Sequence, residues 1–250
     1  MTRETPTESV ETTRSKRSAG RAKGIKLFLR DILIILVAAL VISFLIKTFL
    51  IRSFYIPSAS MMDTLQENDR IIVSLLTPQP IGIERGDIVV FEDPGGWLNS
   101  LQSPERTGFE AGVENVLAFV GLAAPDSEDH LIKRVIGLPG DEVICCDEFG
   151  QLSVNGVALD ETYIRLPEGI SKATEEDFTI TVPKDSLWVM GDNRYNSSDS
   201  SYHHAKDPGH EYVPVEKVVG RAILVSWPFD RFTWLDNHPD VFEGTEPTKK

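Results

Sequence analysis

A mostly-β, antiparallel domain preceded by one transmembrane helix is the fold class this sequence predicts, and three observations carry the prediction. Residues 32 to 46 read ILIILVAALVISFLI without a charge. Short runs rich in β-branched residues recur through the rest of the chain, and turn-forming residues separate nearly all of them.

The elements follow in chain order. Residues 1–26 are rich in Thr, Ser, Glu, Arg and Lys, with almost nothing bulky and apolar to bury, and are predicted to form a disordered basic tail. Residues 27–51 are predicted to be the transmembrane helix: about 20 apolar residues rise about 30 Å, the thickness of a bilayer's hydrocarbon core, and Lys47 can snorkel to the headgroups. No small-residue cleavage pattern follows, since Phe54, Tyr55 and Pro57 are bulky or rigid, which argues against a cleaved leader. The cluster Arg14, Lys16, Arg17, Arg21, Lys23, Lys26 and Arg30 ahead of the helix places the N-terminus in the cytoplasm and everything after Arg52 outside.

Residues 52–238 are predicted to be the extracytoplasmic β-rich domain. Its strands are RIIVSLL (70–76), DIVVF (87–91), LIKRVIGL (131–138), DEVICC (141–146), LSVNGVAL (152–159), FTITV (178–182), SLWVM (186–190) and GRAILVSW (220–227). Turns fall at Glu84-Arg85-Gly86-Asp87, Pro139-Gly140-Asp141, Asn155-Gly156 and Gly191-Asp192-Asn193, and Asn-Gly between apolar runs is a strong hairpin signal. Residues 92–130 break the pattern and read as an insertion with a helix at Glu114 to Gly121. Residues 142–185 form a β-rich cap region, and 239–250 a flexible acidic tail.

Charge narrows the partners. Residues 1 to 30 carry eight Lys/Arg against three Asp/Glu, a net +5, whereas residues 53 to 250 carry 15 against 34, a net −19. So acidic an outer part repels nucleic acid, which is excluded as a partner. The two cysteines, Cys145 and Cys146, are adjacent, which excludes a zinc ribbon or a multi-bridge framework. A strained vicinal disulfide and a pair of reduced thiols both remain open.

Three blocks hold groups capable of chemistry. The first, Tyr55-Ile56-Pro57-Ser58-Ala59-Ser60-Met61-Met62-Asp63-Thr64-Leu65, offers two serines just beyond the apolar run. A serine is a poor nucleophile until a base removes its proton, and taken alone such a stretch is more often a turn or helix cap. The second, Lys133-Arg134-Val135-Ile136-Gly137-Leu138-Pro139-Gly140-Asp141, sets a lysine inside a strand pattern. Burial favours a neutral amine, and lowering a lysine by about 3 units makes it a usable base at neutral pH. An exposed edge-strand lysine is the plainer alternative. The third, Met190-Gly191-Asp192-Asn193-Arg194-Tyr195-Asn196-Ser197-Ser198-Asp199-Ser200-Ser201, is a polar loop that can satisfy its own backbone or orient a base.

In this order behind an apolar helix, the three blocks resemble the bacterial type I signal peptidase family, a group of membrane-anchored serine proteases. Arg85-Gly86-Asp87-Ile88-Val89-Val90-Phe91 is similar to a fourth family block. The resemblance implies Ser60 as nucleophile and Lys133 as general base, with Ser58 contributing its hydroxyl to the oxyanion hole and Ser197 positioning the lysine. Arg134, Asp192, Arg194 and Asp199 form the supporting polar network. It further implies an endopeptidase that removes signal peptides from secreted preproteins after small residues of the A-x-A type, through an acyl-enzyme. No cofactor and no metal is implied; the partners are signal peptides, the lipid bilayer and the protein-export machinery. Ala59, Asp63 and Ser201 depart from the commonest family pattern, where glycine, proline and arginine are frequent; Ser201 leaves one supporting ion pair in question.

Two rivals are weighed. His130, His203, His204, His210 and His238 offer a Ser-His-Asp hydrolase, but the G-x-S-x-G elbow, the S-x-x-K signature and the H-E-x-x-H metal pattern are all missing. A non-catalytic, membrane-anchored β-domain that binds peptides or scaffolds a secretion complex predicts instead that Ser60 and Lys133 are dispensable, and a separation of the two beyond hydrogen-bond reach would speak against catalysis by the pair.

Overall fold

The computed structural model describes residues 12–98 and 130–246, with side chains from Lys26 onward. Two compact units, residues 1–47 and 48–250, are described in turn.

Helix α1 spans Thr12–Phe49, and its stretch Lys26–Phe49 has a mean hydropathy of 2.8. It is long and apolar enough to cross a membrane, and its apolar residues, Leu33, Ile35 and Ile42 among them, are exposed. Two boundaries differ from expectation. The helix already runs through residues 12–26, where a disordered tail was predicted: that segment lacks proline and is rich in Arg, Lys and Ala, so an established helix extends through it readily. It also stops at Phe49, because Ile51–Tyr55 is claimed by a strand.

The second unit holds two sheets. The larger contains β1 (Ile51–Tyr55), β2 (Arg70–Ser74), β3 (Ile88–Glu92), β4 (His130–Gly137), β9 (Ser186–Met190), β10 (Val213–Pro214), β11 (Val218–Trp227) and β12 (Thr233–Trp234). Its order is β1-β2-β11-β3-β4-β9-β10, with β12 beside β11, and every pairing is antiparallel. Alternation along β3 sends Ile88 and Val90 to one apolar cluster, with Phe54, Met61 and Leu65, and sends Val89 and Phe91 to another, with Val135 and Val189. The sheet is therefore covered on both faces.

The smaller sheet contains β5 (Glu142–Cys145), β6 (Leu152–Val154), β7 (Val157–Ala158) and β8 (Phe178–Thr181), in the order β7-β6-β5-β8, within the predicted cap region. Asn155 and Gly156, with φ of 52° and 82°, make the β6–β7 hairpin turn that Asn-Gly predicts. Val143, Leu152, Val154 and Ile180 point inward against Ile136, Trp188 and Met190 of the larger sheet. Cys145 and Cys146 are bridged, with Cys145 inside this core.

Strands predicted from sequence are all present, within a few residues; β1, β10 and β12 were missed. Strands β3 and β4 pair from Glu92–His130 to Ile88–Arg134, so the predicted insertion is the connection between two neighbouring strands. The helix predicted at Glu114 to Gly121 lies outside the described residues. The flexible tail is corrected over residues 239–246: Phe242 and Thr245 are buried, Asn155 Nδ2 donates to the Thr245 carbonyl at 2.6 Å, and Arg85 donates to Glu246. Val241 and Phe242 supply apolar surface that the cap core takes up. Gly86 is essential to the fit, since a Cβ there would lie 1.8 Å from the Asn237 carbonyl oxygen.

Candidate active site

Ser60 follows the short extended stretch after β1, in a turn held by two backbone bonds, Met62 N–H to the Ala59 carbonyl and Leu65 N–H to the Met61 carbonyl. Met61 and Leu65 are fully buried and anchor that turn in the apolar cluster. Lys133 lies in the middle of β4, opposite Val89. Asp192, Arg194 and Asp199 occupy the loop leaving β9, where a short 3-10 turn (Arg194–Asn196) leads into helix α2 (Ser200–Lys206).

The structure brings Ser60 and Lys133 together. Lys133 Nζ donates to Ser60 Oγ at 2.8 Å and to the carbonyl of Ile132 at 2.9 Å, with Ser60 7% and Lys133 3% exposed. Burial pushes the Lys133 amine down to about 8, against the opposing pull of Asp199 and Asp192. Ser58 Oγ is 3.4 Å from Ser60 Oγ. Among the described residues these two are the only hydrogen-bond partners of the Ser60 hydroxyl, so the separation that would speak against catalysis is not found.

Arg134, one residue on, has a different environment. Its Nε and Nη2 donate to the two oxygens of Asp192 at 2.9 and 2.7 Å, with both side chains 0% exposed. Nη1 adds a bond to the Gly86 carbonyl at 2.7 Å. Burial works against this guanidinium, yet Asp192 holds it above its ordinary value. Asp192 also accepts from Thr64 Oγ1 at 2.5 Å, four residues after Ser60. Asn193 ties the same loop to the Ser60 turn, its N–H donating to the Ser60 carbonyl and its Nδ2 to the Ala59 carbonyl, both at 3.0 Å.

Asp199 caps α2: it accepts from Ser201 N–H at 3.0 Å and Ser201 Oγ at 2.7 Å, and its other oxygen accepts from Gly191 N–H at 2.8 Å. Among the described residues it has no ion pair, which answers the question raised by Ser201. Ser197 makes no hydrogen bond to Lys133. Its Oγ is buried without a hydrogen-bond partner, on the same side of Gly191 as the Ser60 carbonyl: a Cβ on Gly191 would lie 2.3 Å from Ser197 Oγ and 2.5 Å from the Ser60 carbonyl.

Sequence reasoning missed four participants. Glu161 accepts two bonds from Arg194, at 2.8 and 2.6 Å. The Tyr163 ring lies 4.1 Å under the Arg134 guanidinium. Arg165 donates to Asp63 at 2.9 Å, and Thr64 binds Asp192 as above. None of these pairs is close in sequence; only the clustering of Glu161, Tyr163 and Arg165 in one pentapeptide offered a signal.

Residues 29–227 match the family described as signal peptidase, peptidase S26. The chain is 38% identical over 200 residues to a probable signal peptidase I of Mycobacterium leprae, covering 71% of this chain and 68% of that one. It is 36% identical over 225 residues to the signal peptidase I of Mycobacterium tuberculosis, covering 82% and 74%. A crystal structure of a signal peptidase I from Enterococcus faecalis matches at 25% identity over 56% of this chain and 95% of that one, with a TM-score of 0.35.

Proposed function

The chain belongs to the signal peptidase, peptidase S26, family and removes signal peptides from preproteins, and from that premise we propose that Ser60 is its nucleophile and Lys133 its general base. The observation that carries the proposal is the 2.8 Å contact between the Ser60 hydroxyl and a buried amine lowered to about 8.

The chemistry follows from that geometry. With a value near 8, roughly a tenth of Lys133 is neutral at pH 7, against less than a thousandth for a free lysine. The bond to the Ile132 carbonyl uses one N–H and holds the amine beside Ser60 Oγ. Lys133 takes the Ser60 proton as Oγ attacks the scissile carbonyl. The tetrahedral intermediate then collapses, the C–N bond breaks, and Lys133 returns the proton to the departing amine. A water deprotonated by the same lysine hydrolyses the acyl-enzyme. The Ser60 N–H and the Ser58 hydroxyl receive the oxyanion, and each such donor contributes about 3 kcal/mol. Arg134, Asp192, Arg194 and Asp199 support the two loops that present the pair, and Ser197 lies next to them as a further orienting group.

The substrate docks as an added strand. Strand β4 pairs with β9 only from Arg134 onward, so among the described residues no strand pairs with residues 130–133 on that side of Lys133. Strand β1 is the end strand of the sheet, and its Phe54 ring lies 5.3 Å from that of His130. An extended peptide entering here gains main-chain bonds, and the shallow space left beside Ser60 selects small side chains of the A-x-A type.

The apolar α1 is the membrane anchor. Its basic N-terminal flank places that end in the cytoplasm, so the domain at 52–238 works on the extracytoplasmic side, at the bilayer, where the export machinery delivers preproteins. The decisive experiment is cleavage of an A-x-A preprotein in detergent by wild type, Ser60→Ala and Lys133→Ala. Both variants are expected to fold and to lose roughly 10⁴-fold or more in kcat. Wild-type rates in either variant would refute the pair.

A further inference from the structure

We propose that Glu161 and Tyr163 are positioning residues for the Ser60/Lys133 pair, acting through Arg194 and Arg134; the inference rests on the dyad proposed above. Both belong to the segment that leaves the cap hairpin after β7, and neither touches Ser60 or Lys133. What they hold is the pair of cations behind the reacting groups.

The contacts form two connected chains. Glu161 receives Arg194 bidentately, with both side chains almost wholly buried. Arg194 Nε donates to the Gly191 carbonyl at 3.1 Å, and Gly191 sits against the Ser60 carbonyl. Tyr163 donates its hydroxyl to Glu161 at 2.8 Å and supplies the face on which Arg134 rests. Arg134 in turn grips Asp192, which accepts from Thr64 in the turn of Ser60. The backbone closes the same unit: Arg165 N–H donates to the Asp192 carbonyl at 2.7 Å, and Arg194 N–H to the Arg165 carbonyl at 3.2 Å. One pentapeptide of the cap region thus braces both loops that present the dyad.

Charge makes Glu161 more than a brace. Burial lowers Lys133, and the carboxylates behind it, Asp199 and Asp192, favour its ammonium form; Arg134 is paired to Asp192, and Arg194 bonds to Gly191 between the two carboxylates. Glu161 offsets Arg194, and Tyr163 stays a neutral phenol because burial raises it well above its ordinary value. Without the Glu161 charge, Arg194 is left as an uncompensated cation that turns toward Asp192 and Asp199. Both changes disfavour the Lys133 ammonium, so the acid limb of activity must move to lower pH.

The test uses the full chain in detergent with an A-x-A preprotein. Glu161→Gln is expected to lower kcat on the order of 10- to 100-fold, as misplacement of reacting groups does. KM should stay within about twofold, because this variant alters presentation of the dyad rather than substrate contact. The acid limb of kcat/KM should move acidward, and Glu161→Asp, which keeps the charge, should restore the limb. Tyr163→Phe removes a single hydroxyl, folds even if Glu161→Gln does not, and should show the same kcat loss in smaller measure. An unchanged kcat and limb in folded Glu161→Gln, or in Tyr163→Phe where the former is unfolded, overturns the proposal even if melting falls. Ser60→Ala and Lys133→Ala run alongside separate the two readings. Their loss of activity with a silent Glu161→Gln removes the positioning role alone, whereas their continued activity removes the dyad and this inference with it.

Discussion

The two sheets of the second unit bury different things. The cap sheet β7-β6-β5-β8 buries an apolar face, Val143, Leu152, Val154 and Ile180, and turns polar residues such as Glu142, Ser153, Thr179 and Thr181 outward. The larger sheet buries Lys133, Arg134, Asp87 and Asp192 among its apolar residues. Removing charge from water opposes folding unless a partner or a shift to neutrality compensates it. Arg134 is compensated by Asp192; Lys133, with no carboxylate in contact among the described residues, is left with its ammonium form disfavoured and its amine lowered to about 8. The difference teaches that neighbouring cations on one strand serve opposite ends: one is locked in its charged form and the other is held ready to give its charge up.

Three measurements break or sharpen that contrast. Asp192→Asn should have the largest effect, about 3–5 kcal/mol in stability from denaturant unfolding, because Arg134 is left buried without its carboxylate. Preprotein cleavage should fall with it. Lys133 comes next and acts in the other direction. Its folded value, about 8, lies below the unfolded value near 10.5, so the unfolded chain binds more protons between those limits. A penalty of up to about 3 kcal/mol is therefore present below pH 8 and fades as pH rises from 8 to 10.5. Unfolding measured across that window should show wild type gaining stability relative to Lys133→Met, and parallel curves would contradict the assigned shift. In the cap, Ile180→Val should cost only about 1 kcal/mol in unfolding experiments, with kcat of the folded enzyme unchanged.

How much of this was legible in the sequence depends on the range of the interaction. Strands written by β-branched runs and Asn-Gly or Gly-Asp turns were readable because alternation and turn chemistry are local. The apolar helix was readable for the same reason, except at its ends, where Ile51 is taken by pairing with Ser74 and helix propagation reaches back to Thr12. Ser60 and Lys133, 73 residues apart, were legible only through a resemblance of whole blocks. Partners were not: nothing local says that Arg194 meets Glu161 rather than Asp199, or that Ser197 Oγ makes no bond to Lys133. The tail shows the same limit, since an acidic sequence gives no hint that Phe242 finds an apolar site created by residues far upstream.

One register deserves its consequence. Strands β3 and β4 are closed by the pair Glu92–His130, so the sheet is complete before the chain departs and after it returns. The entropy of closing a connection rises only logarithmically, about 0.6 kcal/mol for each doubling of its length. At this junction a lineage can lengthen, shorten or replace sequence almost freely, while the lysine three residues downstream keeps its place.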